Sequence, residues 1–370
     1  MKFLRFGICL MITFAVALHG AVEIWSESIF EIGAALLLVY WAVLIFKRHE
    51  YEIHGGLLLW PLLGLLGFGG MQLALHWTVY PFLTQTELLR WSAIILYLFL
   101  FIQAFRTRRD LQSFAWFLLV LGFATGLFGI AQRFTFNGKI YWFRKLELGG
   151  LPFGPFVNRN HFAGLMELIA PLGLALLTFR GIRRDLIPLG ILFVIIQVGS
   201  LLLSSSRGGI ISFFFSVGVL FVITWVRKTE RTSVGILAVV LLAGMTLLVW
   251  LGVGQVASRF EKIGPGEVSL TRRAVMIHAS WRIFLAHPWT GSGAGTLVDV
   301  YPKYEGQYDG KVIEHSHNDY VELLADFGLV GGVCGVAFLI IFLAGALPKI
   351  NARQSHFSAA LHAGAFAAIC

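Results

Sequence analysis

Apolar runs of membrane-crossing length recur along this 370-residue sequence, and they point to a bilayer as its solvent. A helix needs roughly 20 mostly apolar residues to cross the hydrocarbon core. Such runs fall near 3–20, 27–46, 55–75, 88–105, 111–131, 161–179, 186–203, 210–226, 233–251 and 319–343. An eleventh begins near 357 and stops at Cys370, too short to span, so the chain reads as cut off within a helix. Charged residues make up 13% of the chain, about half the share of a soluble domain. Barrel strands are short and alternating, so the expected fold is all-α. It is a polytopic integral membrane protein of ten to eleven transmembrane helices with one large periplasmic loop. Four segments follow: N-terminal helices (1–131), a second helical group (132–251), the large loop (252–317) and incomplete C-terminal helices (318–370).

Basic residues sort the connections. Lys2/Arg5, Lys47/Arg48, Arg106/Arg108/Arg109, Arg180/Arg183/Arg184, Arg227/Lys228/Arg231 and Lys349/Arg353 fall on every second one. Short basic loops stay cytoplasmic. Residues 132–160, 204–209 and 252–317 are therefore expected on the periplasmic side of a bacterial inner membrane. Lys2 and Arg5 before an apolar run look like a signal peptide, yet the alternation works when that run is kept as the first helix. The net charge of +9 is dispersed over separate loops rather than one stripe, which argues against nucleic acid. Cys9, Cys334 and Cys370 lie singly in apolar runs, which suggests neither a disulfide framework nor a metal site. An outward-facing enzyme has no ATP, and no GxxxxGK[ST] loop occurs. It needs a pre-activated substrate, and a lipid-linked diphosphate would serve.

Four outer stretches carry the polar chemistry. "LLSSSRGGI" places Arg207 close to hydrocarbon, where an arginine costs about 2.5–3.5 kcal/mol or more at the bilayer centre. Arg207 either snorkels to headgroup phosphates or grips an anion with its two-pronged guanidinium. "LTRRAVMIHASWRIFLAHPWTGSGAG" reads as an amphipathic helix from Arg272 to Ala286, ended by Pro288 and a flexible glycine turn. At about 100° per residue, Arg273 shares a side with Met276, Ile277, Ser280 and Phe284, while His278 and Arg282 point away. "FVNRNHFAG" supplies Asn158 and Asn160, suited to sugar hydroxyls and equally to helix capping. Tyr301, Tyr304 and Tyr308 suit stacking on sugars or plain loop packing. "HSHND" sets His315, His317 and Asn318 at the mouth of the last long span. A sugar hydroxyl is a weak nucleophile, and a positioned histidine is the side chain to deprotonate it near neutral pH. His317 is the expected base, with His315 and the carboxylates Glu314 and Asp319 as its local rivals. The plainer alternative is a solvated helix cap built on Ser316 or Asn318. Gly328 and Gly331, further along, are expected to let another helix pack closely.

In this order "GPFVNRNHFAG", "SSSRGG", "HPWTGSGAG" and "HSHNDYVELLADFGLVG" resemble the O-antigen ligase and polymerase superfamily, over roughly residues 150–335. The resemblance implies transfer of a glycan from an undecaprenyl-diphosphate carrier to an acceptor hydroxyl on the periplasmic face, with no metal or cofactor. It implies His317, Arg273 and Arg207 as catalytic residues. Arg272, Asn318, Asn158, Asn160 and His315 fall in its substrate-binding motifs. Many members carry Trp four residues after the loop arginine, and here that place is Ile277. The superfamily comprises lipid A–core ligases, glycan polymerases and protein O-oligosaccharyltransferases, which share the donor and differ in acceptor. General resemblance leans to ligation of O-antigen to lipid A–core. Expected partners are the lipid-linked donor, the lipid A–core or another glycan acceptor, and membrane lipids, with no nucleic acid. Two other classes stay open: a non-enzymatic transporter of polysaccharide or lipid carrier, which would set charges mid-helix along a pathway, and a structural or sensor membrane protein, which would not need Arg207, Arg273 and His317 to converge. Here the ionisable residues gather at outer helix ends, apart from Glu167, Glu322 and Asp326.

Overall fold

The computed structural model describes residues 1–47, 52–145, 152–227, 268–306, 312–351 and 355–369, with scattered helical positions between 235 and 249. The described residues are helical apart from loops and one small hairpin. The helices are α1 (Lys2–Ala17), α2 (Ile24–Lys47), α3 (Leu59–Ala74), α4 (Pro81–Ala104), α5 (Arg108–Phe134), α6 (Arg159–Thr178), α7 (Ile187–Leu203), α8 (Arg207–Val226), α9 (Val268–Ala286), α10 (Leu297–Tyr304), α11 (Asp319–Asn351) and α12 (His356–Ile369). The hairpin pairs β1 (Lys139–Ile140) with β2 (Arg144–Lys145) between α5 and α6.

Nine of the ten long apolar runs coincide with described helices; the tenth, 233–251, lies largely outside the described residues. Among the described residues, seven helices are able to cross a membrane by length and composition alone: α2, α4, α5, α6, α7 with the short turn before it, α8 and α11. Of the expected ten to eleven crossings, seven are thus supported among the described residues. The helices α1 and α3 have 16 residues each, shorter than the usual span of about 20. The described part of the expected large loop is itself folded, into α9 and α10.

Helix starts follow local chemistry. Thr107 and Asp110 form a reciprocal capping box on α5, with Asp110 N donating to Thr107 Oγ1 (3.2 Å) and Thr107 N to Asp110 Oδ2 (3.1 Å). Pro81 opens α4, where its missing N–H costs nothing. Ser206 accepts from Gly209 N at the start of α8.

The chain forms two compact units. The first comprises Met1–Ile8, Glu27–Phe105 and Gly264–Phe342. In it Leu65, Ala294 and Phe327 form one apolar cluster, and Met276, Ala279, Ile283, Leu297, Val300, Tyr301 and Ala325 form another. The second unit comprises Cys9–Ser26, Arg106–Ile263 and Leu343–Cys370, and α6 is its hub. Helices α5, α7, α8 and α12 all pack on α6. Small residues make this possible, because helices in lipid associate by close packing rather than by hydrophobic exclusion. Ala360, Ala363, Gly364 and Ala367 line the buried face of α12, and a Cβ on Gly364 would lie 2.8 Å from the Leu172 backbone.

Candidate functional site

Three of the expected site residues lie in the second unit, where the N-terminal ends of α6 and α8 meet. Asn158 caps α6, its Oδ1 accepting from Asn160 N at 2.9 Å. The Ser206 hydroxyl contacts Asn160 Oδ1 at 2.9 Å and so ties one helix start to the other. Close approach requires Gly209, since a Cβ there would lie 2.5 Å from Ala163 Cβ and 2.6 Å from Glu167 Oε1. Arg207 is the first residue of α8, half-buried, directly after the Ser206 cap. Two N-termini side by side present the positive ends of two helix dipoles, an arrangement that favours an anion. The asparagine oxygens are engaged in capping and in the α6–α8 contact, which is the capping alternative of the sequence reading.

The remaining expected residues lie in the first unit. Helix α9 buries Met276, Ala279, Ser280, Ile283 and Phe284, as its sequence period requires. His278 and Arg282 face outward, and Arg282 donates to Tyr304 O (3.4 Å). Arg273 continues the line of the buried face but is exposed near the start of the helix, and Arg272 is half-buried. Ile277 is half-buried too. Tyr301 is 2% exposed inside the α9–α10 cluster, so its ring packs the fold; Tyr304 packs against that cluster, and Tyr308 lies outside the described residues. Ile313 packs on the same cluster, which brings the segment leading to His315 against it.

The histidine turn is built around a buried serine. Ser316 is fully buried, with its hydroxyl 2.9 Å from both Asn318 O and Glu322 Oε2. Asn318 caps α11 by accepting from Val321 N at 3.2 Å. Both candidate caps therefore act, Asn318 directly and Ser316 from behind it. His315 Nδ1 lies 2.7 Å from Glu322 Oε1. That hydrogen bond pulls the His315 pKa above its ordinary value, against the opposing effect of burial, with further help from the charges of Glu322, Glu87 and Glu314. His317 is exposed and left-handed, at φ 55°. This backbone is costly for a residue with a Cβ, and it persists where surroundings dictate it.

The glycines of "HPWTGSGAG" and "FGLVGG" correct two expectations. Gly328 adopts φ 60°, ψ −149° and breaks α11 into two segments. Instead of receiving another helix, it meets the loop after α9: a Cβ there would lie 2.7 Å from Pro288 O and 2.9 Å from Gly291 N. Gly331 packs tightly on the backbone of Leu323 in its own helix. The glycine turn is no loose hinge either, because its backbone groups are occupied. Ser292 N donates to Ala325 O (2.9 Å), Gly293 N to Asp326 O (3.1 Å), Gly295 N to Asp326 Oδ2 (2.9 Å), and Leu329 N to Pro288 O (2.8 Å). Amides committed in this way are not a cradle for phosphate.

Sequence reasoning missed the residues that hold this latch. Gln72 on α3 is fully buried and donates to Thr290 O (2.6 Å) and Asp326 O (2.8 Å), while its Oε1 accepts from Ala294 N (3.2 Å). Thr84 donates to Ala294 O (3.1 Å). On α4, Arg90 bridges Glu27 (2.5 Å) and Glu87 (2.8 Å). A buried glutamine in an apolar run, and carboxylates recurring at helix ends, were the available signals, since such groups persist only with partners.

Among the described residues no cluster of three His, Cys, Asp or Glu side chains is arranged to hold a metal ion. Residues 192–336 match the family described as O-Antigen ligase. That stretch contains Arg207, Arg272, Arg273, His315, His317 and Asn318, and leaves Asn158 and Asn160 outside. The teichuronic acid biosynthesis protein TuaE of Bacillus subtilis (strain 168) is 23% identical over 240 residues, covering 60% of this chain. The chain spans 46% of the length of that curated relative, about half.

Proposed function

We propose, from the match of residues 192–336 to the O-antigen ligase family and the resulting assignment to the O-antigen ligase/polymerase superfamily, that this polytopic membrane protein is a glycan transferase working on the periplasmic face. The observation that carries the reading is that Arg207, Arg273 and His317 all fall within the matched stretch. The donor is an undecaprenyl-diphosphate-linked glycan. The acceptor hydroxyl oxygen bonds to the anomeric carbon of the donor sugar, and the bond from that carbon to the phosphate oxygen breaks. The leaving undecaprenyl diphosphate takes the electron pair, and His317 takes the hydroxyl proton. Arg207 and Arg273 are each a ligand for the diphosphate, whose negative charge grows as it leaves. Fixed cationic donors in a water-poor site stabilise such charge. Arg272, His315, Asn318, Asn158 and Asn160 are assigned to substrate binding, and the residues of this chain act without metal or cofactor.

The favoured acceptor is lipid A–core. The relative's role in teichuronic acid biosynthesis favours a second reading, in which the acceptor is another glycan and the protein a polymerase. One assay separates them. The purified chain in proteoliposomes receives purified lipid-linked glycan and either lipid A–core or a second lipid-linked glycan. His317→Ala is expected to lower transfer about 10²–10⁴-fold, the usual contribution of a positioned base. Undiminished transfer by His317→Ala removes the base, and a wild-type chain that moves glycan to neither acceptor removes the transferase reading.

A further inference from the structure

We propose that Glu322 is a positioning residue whose carboxylate clamps the His315–Ser316–His317 turn, so that His315 stands as a fixed cation for the donor diphosphate while His317 serves as the base. This rests on the transfer reading above and adds to it a residue with no part in the expected site.

The geometry uses both oxygens of the carboxylate. Glu322 sits one turn into α11 at the head of an apolar run, with its side chain 18% exposed. A carboxylate so placed needs partners for its lone pairs. Oε1 lies 2.7 Å from His315 Nδ1, and Oε2 accepts from Ser316 N (2.8 Å) and contacts Ser316 Oγ (2.9 Å). An ionised carboxylate only accepts, so the proton in the first contact belongs to Nδ1. Nε2 is at the opposite edge of the ring, and the His315 side chain is 64% exposed. One carboxylate thus fixes both the ring orientation and the serine between the two histidines. The arrangement parallels a carboxylate orienting an imidazole in acyl-transfer triads, here applied to a histidine beside the base.

The surroundings of His315 favour its charged form. Besides Glu322, the groups acting on it are Glu87 on α4 and Glu314 in its own loop; the buried Asp326 also senses its charge. Glu87 is itself paired with Arg90 (2.8 Å). The pKa of His315 is raised, so its proton is retained as pH rises above the ordinary value of 6.5 and is lost only on passing through the raised value. Removing the carboxylate moves that loss to lower pH. A cation at the start of α11 adds to the positive end of the helix dipole where an anion would approach.

The test reads the ionisation of His315 without requiring turnover. The full chain, purified in detergent, is treated with diethyl pyrocarbonate across pH; the reagent acylates neutral imidazole, and tandem mass spectrometry separates His315 from His317. The wild-type midpoint at His315 should lie above 6.5, with Glu322→Gln lowering it by about one pH unit or more, the usual effect of an opposite charge at this distance. Glu322→Asp, which keeps the charge on a shorter arm, should move it back toward wild type. The labelling profile of His278, on exposed α9 surface, reports whether the fold is kept. An identical His315 midpoint in wild type and Glu322→Gln overturns the clamp. In the transfer assay the alkaline limb of the Glu322→Gln rate profile should move to lower pH by the same interval. A uniformly lower rate with an unmoved profile would mean a merely structural carboxylate and overturns the cation. A wild-type chain that labels as expected but transfers nothing overturns the transfer reading and the cation's role together, while the labelling midpoint still decides the clamp.

Discussion

Arg207 and Arg273 show how chemistry at a single residue is read, and where reading stops. Both stood out in the sequence because a guanidinium beside hydrocarbon needs an anion or a route to water. The folded chain places them differently: Arg207 as the first residue of α8, half-buried, and Arg273 exposed near the start of α9. If each binds the donor diphosphate, Arg207→Ala and Arg273→Ala should each cost about 10²–10³ in transfer rate, typical for removing one donor to a developing oxyanion. Arg→Lys at either position keeps the charge and loses the fork, so it should be impaired as well. Transfer measured with purified donor checks both, and full activity of both alanine variants would dismiss the arginines as phosphate ligands. Asn158 teaches the opposite lesson. Its sugar-binding and capping readings used the same atoms, and only the fold shows Oδ1 accepting from Asn160 N. His315 and His317 look alike in the sequence, yet the fold brings Glu322 Oε1, seven positions further along the chain, to Nδ1 of His315.

At the scale of elements, periodicity located the helices well and the junctions poorly. The amphipathic face of α9 was legible because burial repeats every three to four residues. The break in α11 was not, since "LLADFGLVGGV" is apolar on both sides of Asp326 and only φ at Gly328 reveals the interruption. The docking of the Pro288–Gly295 turn on that break depends on hydrogen bonds from Gln72, more than 200 residues away in sequence, which no local pattern encodes. The latch makes a sharp expectation. Gly328→Ala forces a left-handed residue to carry a Cβ and drives it to 2.7 Å from Pro288 O. Strain of this kind is worth about 1–3 kcal/mol, before the clash is counted. Thermal unfolding of the detergent-solubilised protein should show Gly328→Ala markedly destabilised. Gly345→Ala, in the same helix with open space around it, should be neutral or slightly stabilising. Equal unfolding temperatures for the two variants would contradict the latch.

For the whole molecule, the alternation of basic loops makes a prediction that contacts inside each unit can support only in part. In the first unit Val79 N donates to Ser292 O (2.9 Å), so the α3–α4 connection lies at the same end as the turn after α9. In the second unit the residues after α1 meet the segment before α6: His19 Nδ1 contacts Pro155 O, Arg144 pairs with Glu23, and the Tyr141 hydroxyl donates to Ala17 O. Asn160 and Ser206 join the α6 and α8 starts in the same unit. Within each unit these are the groupings required if its own outer segments share one side of a membrane: 75–80 and 268–306 in the first, and 132–145, 152–160 and 204–209 in the second. The side itself is predicted from the arginines at Arg106–Arg109 and Arg180–Arg184, since short basic loops are retained in the cytoplasm. Single cysteines in a background lacking Cys9, Cys334 and Cys370 would settle the matter. Good sites are exposed: Lys303 at the end of α10, Arg108 at the start of α5 and Arg183 before α7. A membrane-impermeant maleimide applied to spheroplasts should label position 303 at once, and positions 108 and 183 only after lysis. Labelling of 303 only after lysis would invert the orientation and place the histidine turn in the cytoplasm. There a lipid-linked donor waiting on the outer leaflet would be out of its reach.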